Sequence, residues 1–247
     1  MIQDAIKRYN RVSDNIISEE GLVSMTKKLS LYFIRHGQTY LNKYGRMQGW
    51  SDAPLTPEGL ENVKASGRGL SDVEFIATYS SDLQRTVATA NAMLTENKHA
   101  YGLQLEQRPE FRETFFGSFE GLDGKYAWGE IAAQRGLSNE QELFSQSSVR
   151  EILNATRAAD PTGDAEDFQM FWSRVEQGFL DIINRHRAQG GNIFIVAHGV
   201  TIRNIIHELD PSITEQFVLD NASVSILSYE QGLFKAEKIN DTSHFKK

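Results

Sequence analysis

Two stretches of the sequence, Leu31–Gly37 (LYFIRHG) and Asn192–Gly199 (NIFIVAHG), decide the fold. Each is a run of β-branched and aromatic residues that ends in His-Gly, and such continuous apolar runs are typical of strands buried inside a parallel sheet. In open α/β sheets, ligands bind beyond the carboxyl ends of the strands. We therefore expect His36 and His198, with Arg35 beside the first, to lie at the edge of the sheet where such folds carry out chemistry.

The rest of the chain alternates predicted strands and helices. Two further strands are predicted at residues 75–79 and 103–107, and a C-terminal hairpin is predicted over residues 223–239. Helical patterns cover residues 56–70, 83–95, 165–188 and 200–208. We therefore expect an α/β fold, a three-layer α/β/α sandwich whose central sheet is mostly parallel, with an antiparallel edge strand near the C-terminus.

The pattern changes between Gly121 and Asp164, where strands disappear and short helical segments rich in Gln, Glu, Ser and Ala take over. We interpret this region as a helical cap insertion over about residues 122–170, beside the carboxyl ends of the strands. Residues 29–247 are expected to form one domain, and residues 1–28 an N-terminal extension. The extension is either a flexible leader or a helix that contacts a second copy of the chain in a homodimer. We expect the tail after residue 241 to be loose.

Composition limits the classes of function. The chain has 247 residues, of which 40% are hydrophobic and 24% charged, which are the proportions of a globular domain. The net charge of −7 disfavours binding of nucleic acid or anionic membranes through the surface as a whole. The sequence contains no cysteine, which excludes disulfides and thiolate catalysis. Because the sequence has neither a long apolar run nor a signal-peptide core, we expect a cytoplasmic protein.

Arg35 and His36 combine two groups suited to phosphate chemistry. A neutral imidazole is a good nucleophile toward phosphorus, and a neighbouring guanidinium favours the neutral form and grips phosphate oxygens. Arg85, in the segment SSDLQRT after the second strand, can reach the same face, although alone it would be interpreted as a solvated helix residue. Gly37 and Gly199 leave room for the backbone to approach a bound phosphate.

Glu113 is the candidate general acid, in the aromatic segment RETFFGSFEG. Neighbouring aromatic rings would exclude water from its carboxyl group, which suits an acid that works near neutral pH; a surface loop glutamate is the plainer interpretation. A metal site built from His36, His198 and Glu113 is also conceivable. It is disfavoured because Arg35 and Arg85 would repel a cation.

Taken together, the ordered motifs RHGQT, RMQG, LTPEG, SSDLQRT, RETFFGSFEG and AHGVTIRN resemble the histidine phosphatase superfamily, also called the phosphoglycerate mutase-like family. The resemblance runs from about residue 29 to residue 209. It implies that His36 is the phosphorylated nucleophile and that Glu113 protonates the leaving oxygen and then activates water. It further implies that no metal or organic cofactor is needed. The groups that would hold the phosphoryl group are Arg35, Arg85 and His198, with further contacts from Asn42, Gln48 and the backbone of Gly49.

The superfamily contains mutases and phosphatases. Mutases that resemble this chain usually carry Arg directly after the acidic Glu, Tyr three residues after it, an Arg pair in the cap and Asn after the second His-Gly. Here those positions hold Thr114, Phe116 and Val200, and no Arg pair occurs within residues 122–170. We therefore expect a metal-independent hydrolase of a phosphorylated small molecule. A cofactor-dependent phosphoglycerate mutase and a non-catalytic phospholigand-binding protein are the alternatives.

Overall fold

The computed structural model describes residues 27–246, so nearly all of the predicted N-terminal extension lies outside the described residues. Within them the chain alternates strands and helices, with two short 3₁₀ turns after the third strand. In chain order the elements are β1 (Leu29–Arg35), α1 (Tyr40–Lys43), α2 (Pro57–Gly69), β2 (Phe75–Ser80), α3 (Gln84–Glu96), β3 (Leu105–Gln107), α4 (Gly124–Gln134), α5 (Glu140–Gln146), α6 (Val149–Ala159), α7 (Phe168–His186), β4 (Gly191–Ala197), α8 (Gly199–Leu209), β5 (Val224–Glu230) and β6 (Leu233–Asp241).

The six described strands form one sheet in the order β3-β2-β4-β1-β5-β6. Strands β3, β2, β4 and β1 are parallel, whereas β5 runs antiparallel to β1 and β6 antiparallel to β5. The predicted fold class is confirmed, and the antiparallel edge is two strands wide. Because β1 and β4 pair in register, with Arg35 opposite Ala197, their carboxyl ends lie side by side. The two His-Gly sequences therefore begin at the same edge of the sheet.

Helices cover both faces of the sheet. On one face, α7 packs its apolar stripe against the strands, and the rings of Phe33 and Phe179 stack at 6.5 Å. On the other face, Val63 of α2 and Met93 of α3 join Ile34 of β1 in a second apolar cluster. Helix α7 begins at Phe168 because the Asp167 side chain caps it. In the described residues, no helix is long and apolar enough to cross a membrane.

The helices α4, α5 and α6 form a separate apolar cluster beside the sheet. Ile131, Leu143 and Ile152 pack there with Met47 and Phe116, which come from the loops at the carboxyl edge. Backbone hydrogen bonds add a second connection: Met47 N donates to Leu122 O at 2.9 Å, and Gly121 N donates to Met47 O at 3.0 Å. The cap is therefore attached directly to the loop that follows β1.

The C-terminal tail packs against α2, so the expectation of a loose tail was wrong. His244 Nε2 and Ser66 Oγ lie 2.8 Å apart, and Lys246 N donates to Ala65 O at 3.0 Å. A Cβ atom on Gly69 would lie 2.0 Å from the carbonyl oxygen of His244, so only glycine permits this close approach. Phe245 adds its ring to the second apolar cluster, which gives the tail an apolar anchor.

Candidate active site

His36 follows β1 directly and is held by its backbone and its ring. Its N–H donates to Ala197 O at 3.1 Å, and its carbonyl accepts from Asn221 Nδ2 at 2.9 Å. Nδ1 of the ring lies 2.8 Å from Gly37 O. Because a carbonyl oxygen can only accept, Nδ1 carries the proton and Nε2 keeps its lone pair. The buried ring therefore presents Nε2 as a nucleophile.

His198 follows β4, and its ring centroid lies 5.2 Å from that of His36. Arg85 Nη2 donates to His198 Nδ1 at 3.0 Å, since a guanidinium can only donate. The ring proton therefore resides on Nε2, which lies 2.8 Å from Ser81 Oγ. Ser81 Oγ in turn lies 2.7 Å from Thr86 Oγ1. This chain of hydrogen bonds fixes the ring orientation and the tautomer of His198.

Both histidines are neutral in the folded protein at neutral pH. Burial holds the pKa of His36 well below its ordinary value, and the charges of Arg85 and Arg35 lower it further. Burial likewise holds the pKa of His198 well below its ordinary value, again with Arg85 as the next cause. The arginines that could bind a phosphate thus also help burial to keep the imidazole of His36 unprotonated.

Arg85 lies in the first turn of α3 and is 1% exposed. Besides His198, it donates to Gly49 O at 2.6 Å and to Ser51 O at 2.9 Å. It also forms an ion pair of 3.1 Å with Asp52. The loop that contains Gly49, Ser51 and Asp52 therefore cradles the guanidinium, and Arg85 Nε remains buried without a partner in the described residues.

Arg35 is the last residue of β1 and directly precedes His36. Its Nη1 donates to Leu219 O, and its Nε is buried without a hydrogen-bond partner in residues 27–246. A Cβ atom on Gly199 would lie 3.4 Å from Arg35 Nε. The glycine of the second His-Gly sequence therefore leaves room for this guanidinium, as well as for the helix that starts there.

Glu113 lies at the N-terminus of α8 and is 6% exposed. Its carboxylate accepts from Val200 N at 2.9 Å, from Thr201 N and Oγ1 at 3.1 Å each, and from Thr114 N at 3.1 Å. The aromatic neighbours act on its backbone instead, since Trp50 Nε1 donates to Glu113 O at 2.9 Å. The carboxyl group thus faces polar donors at a helix start, where the sequence had suggested an apolar lining.

The family of the chain follows from a comparison with known proteins. The model of the histidine phosphatase superfamily (branch 1) matches residues 31–242. The chain belongs to this superfamily. The resemblance drawn from the ordered motifs is thereby confirmed.

Similar proteins carry the names of both mutases and phosphatases. The crystal structure of a phosphoglycerate mutase from Bacillus anthracis is 38% identical, with a TM-score of 0.83 over 90% of this chain and 97% of that one. A 2,3-bisphosphoglycerate-dependent phosphoglycerate mutase from Neisseria meningitidis is 28% identical over 74% of this chain and 85% of its own length. The alpha-ribazole phosphatase of Shigella flexneri is 25% identical, with a TM-score of 0.64 over 87% of this chain and 97% of that one.

Two of the predicted phosphate contacts lie in the segment between β1 and α2, Asn42 in α1 and Gln48 in the loop that follows it. Asn42 forms a capping box with Thr39: Asn42 N donates to Thr39 Oγ1, and Thr39 N donates to Asn42 Oδ1, both at 3.2 Å. Gln48 Oε1 accepts from Thr39 Oγ1 at 2.6 Å. Gln48 Nε2 is buried and has no hydrogen-bond partner in the described part of this superfamily member. Gln48 therefore has a free donor, whereas the Oδ1 atom of Asn42 serves the loop.

The predicted glycine contacts have other uses in the structure. The N–H of Gly49 donates to Glu120 Oε2 at 3.1 Å, so Gly49 contributes its carbonyl to Arg85 and its N–H is already occupied. A Cβ atom on Gly37 would lie 2.5 Å from Val63 Cγ2. Gly37 therefore permits β1 to pack closely against α2.

Sequence reasoning missed an ion pair that holds the Glu113 segment. Arg174 of α7 pairs with Glu166 through two contacts of 2.7 Å. Arg174 also donates to Arg112 O and Glu113 O, both at 2.8 Å, and Glu166 accepts from Phe115 N at 3.0 Å. The contacts that Arg174 and Glu166 make with the Glu113 segment are to backbone atoms. No residue pattern around Glu113 therefore indicates them.

Proposed function

We propose that this superfamily member is a phosphomonoester hydrolase that works through a phosphohistidine on His36. The observation that carries the proposal is a neutral, buried His36 whose pKa is lowered by two nearby arginines, each of which keeps a buried Nε without a protein partner in the described residues. Arg35 Nε, Gln48 Nε2 and Arg85 Nε are buried and unpaired in the described residues. Buried donors are normally satisfied, and phosphoryl oxygens would satisfy these.

The reaction has two steps. In the first, His36 Nε2 attacks phosphorus, the bond from phosphorus to the leaving oxygen breaks, and Glu113 gives that oxygen its proton. In the second, Glu113 takes a proton from water, the water oxygen bonds to phosphorus, and the bond from phosphorus to Nε2 breaks. Inorganic phosphate leaves and both side chains return to their starting states. Arg35 and Arg85 stabilise the charge on the phosphoryl oxygens, so the scheme needs no metal or organic cofactor.

The cap supports hydrolysis over phosphoryl transfer to a second acid group. Its arginines bind groups of the protein: Arg135 pairs with Glu151 at 3.0 Å, and Arg157 Nη1 donates to Ala165 O at 2.6 Å. Arg150 lies over an aromatic ring at 3.9 Å from its centroid. With these side chains engaged, the substrate would be held mainly by its phosphate, and water would be the acceptor.

A phosphoglycerate mutase is the second candidate, because the relatives at 38% and 28% identity bear that name. One experiment separates the two activities. Phosphate release would be measured on a panel of phosphomonoesters, beside an isomerisation assay with 3-phosphoglycerate and 2,3-bisphosphoglycerate. We expect phosphate release without formation of 2-phosphoglycerate, and no release by His36→Ala. Rapid isomerisation with little release would establish the mutase, and turnover by His36→Ala would refute the phosphohistidine.

A further inference from the structure

Glu120 has no role in the proposed reaction, yet its carboxylate accepts hydrogen bonds from four backbone N–H groups. Oε2 accepts from Gly49 N at 3.1 Å and from Ser51 N at 3.0 Å. Oε1 accepts from Trp50 N at 2.9 Å and from Phe116 N at 3.1 Å. Three consecutive N–H groups that converge on one anion form a backbone nest, so the carboxylate fixes the conformation of this loop.

The loop held by Glu120 is the same loop that holds Arg85. The N–H groups of Gly49 and Ser51 point to Glu120, while their carbonyl oxygens accept from the Arg85 guanidinium. Arg85 in turn donates to His198. A continuous series of hydrogen bonds therefore runs from the Glu120 carboxylate, through the loop backbone, to the groups that face the phosphoryl site.

Steric contacts support the same arrangement. A Cβ atom on Gly49 would lie 2.3 Å from Glu120 Oε1 and 2.2 Å from Thr114 O. The absence of a side chain at Gly49 thus lets the loop approach both Glu120 and the segment that carries Glu113. Since Phe116 N also donates to Glu120, the carboxylate joins the loop of Arg85 to the segment of the general acid.

We propose that Glu120 is a positioning residue that sets the Arg85 guanidinium against His198 and the transferring phosphoryl group. The inference rests on the proposed function, and it adds a residue that does not touch substrate. A carboxylate is required because all four partners are donors. Glutamine offers one carbonyl oxygen, so its amide nitrogen would face two N–H groups. The charge of Glu120 also acts on Arg85 directly, because it opposes the lowering of the Arg85 pKa by burial.

A double-mutant cycle tests whether Glu120 acts through Arg85. The variants are E120Q, R85A and the combination, with kcat/KM measured on the best substrate of the panel. We expect E120Q to lower kcat/KM by about 10- to 100-fold, the usual effect of a misplaced catalytic group. In the R85A background the same change should lower it by less than about threefold, because the group that Glu120 positions is already gone.

A matched control separates positioning from general damage. D210N changes another carboxylate that accepts several donors, Ser212 N at 3.1 Å and Ala236 N at 2.8 Å, but Asp210 follows the last turn of α8, at the opposite end of that helix from His198. Its kcat/KM should equal that of the wild type. If E120Q does not fold, as judged by circular dichroism, E120D replaces it; this variant keeps both oxygens and should show an intermediate loss in the wild-type background only.

The outcomes are distinguishable from those of the proposed function. An equal fold-loss from E120Q in both backgrounds, or no loss in either, would overturn the role of Glu120. If the wild type releases no phosphate at all, the proposed function fails. The cycle is then run on the dissociation constant of vanadate by calorimetry. If E120Q weakens vanadate binding in the wild-type background but not in the R85A background, the positioning role is supported. If the two substitutions weaken vanadate binding additively, it is refuted.

Discussion

The neutral state of His36 makes the stability of the protein depend on pH in a defined direction. In the unfolded chain a histidine takes up a proton below a pKa of about 6.5. In the folded protein the pKa of His36 is held well below its ordinary value, by burial first and then by Arg85 and Arg35. Acid therefore favours the unfolded chain, and this contribution to stability is lost as the pH falls below about 6.5.

The magnitude follows from one proton. Where the unfolded chain binds a proton at His36 that the folded protein does not, the free energy of unfolding falls by about 1.4 kcal/mol per pH unit. Integrated from about pH 7.5 to about pH 5, this gives a loss of at most about 2 kcal/mol, reached when the folded protein binds no proton at His36 over the whole range. The substitution His36→Asn removes the titrating group, so the variant should lose less than the wild type over this range, by up to about 2 kcal/mol.

Urea denaturation of both proteins across this pH range measures the effect. The substitution also removes contacts at every pH. The informative quantity is therefore how the difference in free energy of unfolding between the wild type and His36→Asn changes with pH. Ile182→Val in the core of α7 is the control, with an expected cost of about 0.5–1.5 kcal/mol that is the same at every pH. If the curves for the wild type and His36→Asn are parallel from neutral to acid pH, His36 is not held neutral, and the argument for a neutral nucleophile fails.

Three further predictions concern single carboxylate or arginine contacts. Glu113→Gln should slow phosphate release by about 10²–10⁴-fold in steady-state assays, because it removes the proton carrier; a small effect with a poor leaving group would show that another group supplies the proton. Arg174→Met should lower the free energy of unfolding in urea by about 3–5 kcal/mol, since it leaves the buried Glu166 carboxylate unpaired; an unchanged midpoint would contradict this. Asp160→Asn should cost about 1–3 kcal/mol at neutral pH. Burial opposes ionisation of Asp160, but hydrogen bonds led by that from Ser118 hold its pKa below the ordinary value. The difference in free energy of unfolding between the wild type and Asp160→Asn should therefore shrink in acid, as the wild type loses this stabilisation. A difference that stays constant with pH would refute this prediction.

The parts of the site that sequence could predict are those written in local patterns. A buried strand that ends in His-Gly is visible as an apolar run, and parallel pairing then brings His36 and His198 together. The order of the motifs indicated Arg85 and Glu113. By contrast, Glu120 and Arg174 act on backbone N–H and C=O groups, which every residue possesses. No periodicity or spacing marks such partners, so only the folded chain shows them.

The tail was mispredicted for a related reason. A single aromatic residue in a polar segment carries no periodic signal, and Phe245 is such a residue. Phe245 packs against the second apolar cluster. The tail can approach α2 there because Gly69, 176 residues earlier in the sequence, leaves space for the carbonyl of His244. The fit between the tail and α2 arises only when both segments are packed together. Neither segment predicts it from its own sequence.

The unpaired donors of the site link binding to stability. Arg35 Nε, Gln48 Nε2 and Arg85 Nε are buried, and an unsatisfied buried polar group costs about 1–3 kcal/mol. The fold tolerates the buried Arg85 guanidinium because Asp52 pairs with it at 3.1 Å, and because the charges of Asp52 and Glu120 oppose the lowering of its pKa by burial. In the proposed function, the oxygens of a bound phosphoryl group would accept hydrogen bonds from these donors. Since only the folded chain offers this arrangement, phosphate or vanadate should raise the unfolding temperature in proportion to the logarithm of its concentration above the dissociation constant. In the proposed function, the donors that lower the stability of the fold would thus supply affinity for the phosphoryl group.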